Sequence, residues 1–156
     1  MQNLISSTTV DVAIRQLTIA DSVAVMALDA STLDHYPGDV ATSHAALTIE
    51  NATVTSDHRG WGAFSPIGHL VAMTFMFSRL EVSETDFTVV HPGWRRRGIG
   101  TAVKAACLLG LIAEGYSNFR TGGSTDNSAI IAANHKLGYI VDEEWLTFTD
   151  AGDSNV

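Results

Sequence analysis

The segment over residues 89–102, VVHPGWRRRGIGTA, has the composition best suited to chemistry in this chain. A strand-like apolar run leads into a Pro–Gly turn, three consecutive arginines, a Gly-x-Gly pair and a helix rich in Ala and Leu. Backbone N–H groups at a helix N-terminus, beside fixed positive charge, bind polyanions. Glycines at 98 and 100 remove side chains that would keep a phosphate away from the backbone. The segment therefore predicts a pyrophosphate-binding loop.

Three kinds of glycine-rich loop join a strand to a helix, and these residues separate them. A P-loop requires Gly-Lys-Ser/Thr, which occurs nowhere in the sequence. A dinucleotide fingerprint requires a third glycine where Val103 stands, and it lacks the arginines. What remains is Arg-x-x-Gly-x-Gly at Arg95, Gly98 and Gly100, which resembles motif A of the GCN5-related N-acetyltransferases.

A second motif supports this resemblance. Residues 127–139, NSAIIAANHKLGY, are similar to motif B of the same family, roughly N-x-x-A/M-x-x-x-Y/N-x-x-L-G-F/Y. The run over 85–90, which leads into His-Pro, and the opening residues 14–21 also resemble family members. The resemblance covers about residues 12–149.

The fold that this resemblance implies is a mixed α/β domain with a central, mostly antiparallel sheet flanked by about four helices. We expect one domain over residues 1–156, with its core at about 12–149. The sequence pattern predicts strands over 12–17, 61–65, 69–77, 84–90, 117–121, 139–141 and 145–149, and helices over 18–30, 40–53, 98–114 and 127–137. Thr18 and Asp21 form a T-x-x-D capping pair. Residues 1–10 and 151–156 are predicted to be frayed ends.

Composition favours a cytoplasmic enzyme. No apolar run reaches the roughly 20 residues of a membrane helix, and the N-terminus lacks the pattern of a signal peptide. A single cysteine, Cys107, excludes an internal disulfide and is expected to be a buried structural thiol. A net charge of −8 argues against nucleic-acid binding. The six histidines are scattered, so no metal site is predicted.

The resemblance implies acetyl-CoA as the cofactor, held by two groups of residues. The backbone of the fourth strand at Thr88, Val89 and Val90 would pair with the pantetheine arm, in the manner of an added strand. The phosphate-facing group lies in the loop and helix start, at Arg95, Arg96, Arg97, Gly98, Ile99, Gly100 and Thr101. One of Arg96 and Arg97 is equally consistent with a solvated surface charge. Asn127 matches the motif B asparagine that binds the pantetheine arm, and it is also a preferred N-cap residue.

The same resemblance implies direct acetyl transfer to an amine, which requires a base. Asp86 is the first candidate and Glu84 the second, and alternation along a strand would place both on one face with Thr88 and Val90. The alternative is that both are solvated carboxylates. A loop containing Asp34, His35 and Asp39 is a further candidate lining for the acceptor pocket.

Asn134 is a departure from the family pattern. Many members have a tyrosine there that protonates the leaving thiolate, whereas an asparagine can only offer a hydrogen bond to the sulfur or the cofactor. Tyr139 and Tyr116 are possible substitutes. A thiol pKa of about 8.5 also makes the thiolate a tolerable leaving group.

The function expected from these residues is acetyl-CoA-dependent transfer to a primary amine of a small molecule. Two alternatives stay open: a non-catalytic acyl-CoA-binding sensor or partner module, and a protein N-terminal or lysine acetyltransferase. Homodimerisation is also open, because Trp145 and Phe148 suit either a sheet edge or the core.

Overall fold

A computed structural model describes residues 1–6, 11–32 and 46–146. Within these ranges one five-stranded sheet has the order β1-β2-β3-β4-β5. The strands are β1 Ala13–Gln16, β2 His58–Phe64, β3 Leu70–Phe77, β4 Ser83–Val90 and β5 Phe119–Arg120. Neighbouring strands are antiparallel from β1 to β4, and β4 and β5 are parallel. The predicted mixed, mostly antiparallel sheet is confirmed.

Five α-helices flank this sheet in the described ranges. They are α1 Gln2–Ser6, α2 Ser22–Thr32, α3 Ile49–Ala52, α4 Ile99–Ala113 and α5 Ser128–Lys136. Short 3₁₀ turns at Ile19–Asp21 and Pro92–Trp94 precede α2 and the loop before α4. None of these helices combines the length and apolar composition that a membrane crossing requires, as far as the described residues extend.

Two hydrophobic cores lie on opposite faces of the sheet. Val25 and Leu28 of α2 pack on one face with Met73 and Phe75 of β3, and α4 packs on the other face against Met76. Because β3 is covered on both faces, its sequence LVAMTFMF is almost uniformly apolar instead of alternating.

The chain ends differ from the predicted pattern. Residues 2–6, expected to be frayed, form α1, because Leu4 and Ile5 pack against the α4-side core. The strands predicted over 139–141 and 145–149 are wrong for the described part, since residues 139–146 form no strand. Three consecutive acidic residues there disfavour a strand, and Arg120 pairs with two of them, Asp142 and Glu143.

Other differences concern element boundaries. In the helix predicted over 40–53, α3 occupies only Ile49–Ala52, starting at a Thr48 N-cap, and residues 40–45 lie outside the described residues. Trp145 is 85% exposed, so it does not belong to the core. Phe148 lies outside the described ranges.

The predicted capping pair at the start of α2 is present. Asp21 Oδ2 accepts hydrogen bonds from the Thr18 backbone N–H (2.8 Å) and hydroxyl (3.2 Å). Arg15 donates to both carboxylate oxygens at 2.8 and 2.9 Å. These contacts, the Arg15 hydrogen bonds foremost, lower the pKa of Asp21 to about 2. The Arg15–Asp21 ion pair therefore connects β1 to the 3₁₀ turn that precedes α2.

We predict that Asp21→Asn lowers the free energy of unfolding at neutral pH by about 1–2 kcal/mol. Because the folded-state pKa is depressed, this stabilisation is complete above the unfolded pKa of about 4 and is lost as the pH falls towards 2. Urea titrations across that range measure it. Asp126→Asn, which removes an exposed carboxylate without an ion pair to described residues, is the control and should change little. Equal losses for both variants would contradict the prediction.

Candidate active site

The parallel pairing of β4 with β5 ends early and leaves a gap in the sheet. Only Ser83 with Phe119 and Glu84 with Arg120 are paired. β4 then continues to Val90, and in the described ranges no strand pairs with it there on the side away from β3. We call this space the β4 gap, and its narrow end, at Thr85 and Thr121 one residue beyond the last pair, the vertex. An extended ligand can add to such an edge as a strand would.

The wide end of the β4 gap meets the N-terminus of α4. The first helical hydrogen bond runs from Ala102 N to Gly98 O (3.0 Å), so the amides just before Ala102 have no carbonyl partner within the helix. Gly98 has a φ of 75°, and a Cβ there would meet no atom within 4 Å. A Cβ at Gly100 would lie 3.1 Å from Val90 Cγ2, so the helix start lies tightly against β4. This glycine-lined, amide-rich corner fits a diphosphate.

The three arginines of the loop have different surroundings. Arg95 Nε donates to Val90 O at 3.1 Å and ties the loop to the end of β4. The Arg97 guanidinium lies 5.3 Å from the centroid of the Trp94 ring. Arg96 is exposed and has a φ of 61°, the one positive φ outside glycine among the described residues. Strained backbone of this kind clusters at ligand-binding sites, and alternating φ signs direct successive amides towards an anion.

A β-bulge changes which residues of β4 share a face. Phe75 pairs with Phe87 while Met76 pairs with Thr85, so Asp86 is an extra residue. Glu84, opposite Phe77, and Asp86 lie on the α2 side, whereas Val90 packs against the α4-side core. The expectation that Glu84 and Asp86 share a face with Thr88 and Val90 is therefore wrong, because one inserted residue reverses the alternation.

Asp86 is paired with a histidine that the sequence does not single out. His58 Nε2 lies 2.9 Å from Asp86 Oδ2, and the imidazole ring lies against Phe75 and Phe77, with centroids 4.9 and 4.7 Å away. The two residues are 28 positions apart, and only the register of β2, β3 and β4 brings them together. The aromatic contacts hold the ring, and the ring holds the carboxylate one residue from the vertex. Glu84, the second candidate base, is exposed nearby.

Most of the other predicted binding residues can contribute only their backbone. The Val89 and Ile99 side chains are buried in the two cores. The Thr88 hydroxyl lies 2.8 Å from that of Thr74. Thr101, in the first turn of α4, is half-buried.

Both motif B asparagines are buried and hydrogen-bonded. The Asn127 side chain accepts from Ile130 N at 3.2 Å, which confirms its N-cap role in α5. Asn134 Oδ1 accepts from Lys104 Nζ at 2.7 Å, and Nζ also donates to the Thr121 hydroxyl at 3.1 Å. Lys104, unnoticed in the sequence because it stands in an apolar helical pattern, thus reaches the vertex. Cys107, also on α4, is the expected buried thiol, and burial raises its pKa to about 12.

Three predicted acceptor residues, Asp34, His35 and Asp39, lie outside the described residues. A cavity of about 730 Å³ is lined by α2, by residues 65–71 and by His91 and Trp94. It lies at the opposite end of β2 from His58, about 20 Å along the strand, so it does not adjoin Asp86. Within the ranges described, no three or more His, Cys, Asp or Glu side chains cluster as a metal site.

Neither protein-family models nor curated protein sequences match this chain, but solved structures do. Aminoglycoside 6'-N-acetyltransferase AAC(6')-Ih from Acinetobacter baumannii is 18% identical, with a TM-score of 0.65 over 89% of this chain and 97% of that chain. Aminoglycoside N-acetyltransferase AAC(6')-Iy in complex with CoA is 17% identical, with a TM-score of 0.69 over 90% and 95%. Ribosomal-protein-alanine N-acetyltransferase from Brucella melitensis biovar Abortus is 16% identical, with a TM-score of 0.68 over 89% and 99%. At these identities the likeness shows a shared fold.

The positive φ of Arg96 generates a prediction with two opposite effects. Arg96→Gly should raise the free energy of unfolding by about 1 kcal/mol, because glycine adopts this conformation without strain. The sequence motifs imply acetyl-CoA as the ligand of this loop, and the same variant should then weaken acetyl-CoA binding about fivefold, because one charge beside the expected phosphate position is lost. Denaturant titration and isothermal titration calorimetry measure the two effects.

Variants at two other arginines serve as controls for this prediction. Arg97→Ala should bring no gain in stability, and Arg79→Ala, outside the loop, should leave acetyl-CoA affinity unchanged. A more stable Arg96→Gly protein with wild-type affinity would show that Arg96 is a surface charge and would contradict the second half of the prediction.

Proposed function

Because this chain has the fold of the GCN5-related N-acetyltransferases, we propose that it is an acetyl-CoA-dependent N-acetyltransferase acting on a primary amine of a small molecule. One observation carries the proposal: the β4 gap connects a diphosphate-fitting corner at one end with a carboxylate–imidazole pair at the other. Val90 and Asp86 are four residues apart, about 13 Å along a strand, a distance that the extended arm of CoA spans.

The residues that would hold acetyl-CoA follow from this geometry. The amides at the start of α4, with Arg96 beside them, would receive the diphosphate, and the β4 backbone from Thr88 to Val90 would face the extended arm. Asn127, the N-cap residue of α5, would contact the same arm. The cofactor would supply the activated acetyl group at the vertex.

Asp86 is the proposed base. At pH 7 an alkylammonium with a pKa of about 10.4 gives up its proton at a cost of roughly 4.6 kcal/mol. A carboxylate within reach of the amine, directly or through one water, accepts that proton. His58 Nε2 lies 2.9 Å from Asp86 Oδ2, and this contact orients the carboxylate one residue from the vertex.

Charge at the vertex favours a cationic acceptor. Glu84 and Asp86 are both exposed on the α2 side of the sheet, within a chain of net charge −8. Two of the three similar structures described above are aminoglycoside acetyltransferases. Aminoglycosides carry several amino groups. The ribosomal-protein-alanine enzyme makes a peptide N-terminus the second candidate acceptor.

Calorimetric titration with acetyl-CoA tests the cofactor site first. We expect micromolar binding to the wild-type protein and none to Gly100→Trp, because the indole would fill the corner between α4 and Val90. Ala113→Trp, at the exposed far end of the same helix, is the matched control and should bind normally. A folded wild-type protein that binds no acetyl-CoA would refute the proposal.

A screen of polyamines, aminoglycosides and peptides for release of CoA thiol then identifies the acceptor. Binding of acetyl-CoA without thiol release in the presence of any of these amines would favour a sensor.

We predict that Asp86→Asn lowers kcat about 10²–10³-fold and leaves acetyl-CoA affinity unchanged, because it removes the proton acceptor and not a cofactor contact. Glu81→Gln, an exposed glutamate just ahead of β4, is the control and should retain wild-type kcat. A larger loss for Glu84→Gln than for Asp86→Asn would exchange the roles of the two candidates.

A further inference from the structure

Lys104 is a charged side chain inside the protein. The residue is only 2% exposed, and its ammonium donates to Asn134 Oδ1 and to the Thr121 hydroxyl. In the described part of the chain, no carboxylate forms an ion pair with it. A buried charge without a counter-charge is costly, and burial lowers the pKa of Lys104 to about 8. A negatively charged group of a bound ligand would supply the missing counter-charge and lower this cost.

The position of Lys104 indicates where that anion would lie. Thr121 follows directly after the last residue pair between β4 and β5, so the ammonium lies at the vertex. Lys104 belongs to α4 and approaches from the α4 side of the sheet, whereas Asp86 lies on the α2 side. A group held in the vertex therefore has a carboxylate on one face and a cation on the other. Two acceptors occupy two of the three ammonium protons, and one N–H remains.

We propose that Lys104, positioned by Asn134 and Thr121, protonates the sulfur of CoA as it leaves. The inference rests on the proposed function. As the amine nitrogen bonds to the acetyl carbon, the carbon–sulfur bond breaks and its electron pair stays on sulfur. The proton moves from Lys104 Nζ to sulfur. This gives CoA thiol and a neutral Lys104 side chain, which regains a proton from water. The attacking amine gives its ammonium proton to Asp86 before the attack, and its nitrogen loses a second proton to water as the amide forms.

The other titratable groups around Lys104 are weaker proton donors. Burial raises the pKa of the Tyr139 hydroxyl and of the Cys107 thiol to about 12 each. The Tyr139 ring centroid lies 5.5 Å from Nζ, and both groups stay neutral at pH 7. A lysine pKa of about 8 is near the value of about 8.5 for a free thiol, so proton transfer between them is nearly balanced in free energy. This makes Lys104 the substitute for the family's tyrosine, in preference to Tyr139.

The test compares the binding of CoA with that of desulfo-CoA, which lacks the sulfur, between about pH 6 and pH 8. Lys104 and the thiol of bound CoA share one proton as a coupled pair, so CoA binding releases the second proton and tightens as the pH rises. For the wild-type protein we expect the affinity ratio of CoA to desulfo-CoA to increase about tenfold over this range. Lys104→Met, of similar length but uncharged, should show a constant ratio and normal desulfo-CoA binding.

The outcomes separate this inference from the proposed function. A constant ratio in the wild-type protein overturns the role of Lys104 while leaving the cofactor site in place. Failure of both ligands to bind overturns the proposed function itself. If Lys104→Met does not fold, the wild-type pH profile still decides. An increase of the ratio in the Met variant equal to that of the wild type also overturns the inference.

Discussion

The short pairing between β4 and β5 is the constraint on which the site depends. Strand β4 pairs with β3 from Glu84 to Val90, apart from the bulge at Asp86, but with β5 over only two residue pairs. A backbone edge in the middle of a sheet needs partners for its N–H and C=O groups. Here a neighbouring strand does not supply them beyond the vertex, so the edge suits an extended ligand. The gap is also what lets α4 begin directly above the end of β4, with Gly100 against Val90.

In the proposed mechanism, both faces of the sheet contribute to the chemistry at the vertex because of the bulge at Asp86. Without that extra residue, the alternation of β4 would bury Asp86 or turn it away from His58. The bulge presents the carboxylate on the α2 side, where aromatic rings hold the imidazole. On the opposite face, α4 and α5 enclose a lysine and an asparagine. The carboxylate of Asp86 and the ammonium of Lys104 thereby lie on opposite faces of the sheet, so the proposed proton acceptor and proton donor do not form an ion pair.

Local patterns in the sequence were sufficient to predict much of the fold and the glycine-rich loop at the start of α4. The sequence alone predicts the loop with Gly98, Gly100 and the arginines, and the start of α4, because short-range backbone requirements determine both. The core strands and the long helices follow from apolar periodicity.

The pairs His58–Asp86 and Lys104–Asn134 could not be predicted, since each depends on strand register or helix packing between residues about 30 positions apart. The bulge has no sequence marker, and it alone reversed the predicted face of Glu84 and Asp86. At the C-terminus, apolar residues suggested strands, but neighbouring carboxylates and Arg120 give that segment other contacts.

Hydrogen exchange with and without acetyl-CoA tests the central claim, that the β4 gap is the cofactor site, most directly. If the claim is correct, acetyl-CoA slows exchange in residues 85–101, which contain the β4 edge, the loop and the start of α4. Exchange in β2 and in the turn between β2 and β3 should stay unchanged. Protection confined to the cavity between α2 and that turn, with none in residues 85–101, would place the ligand elsewhere and contradict the account.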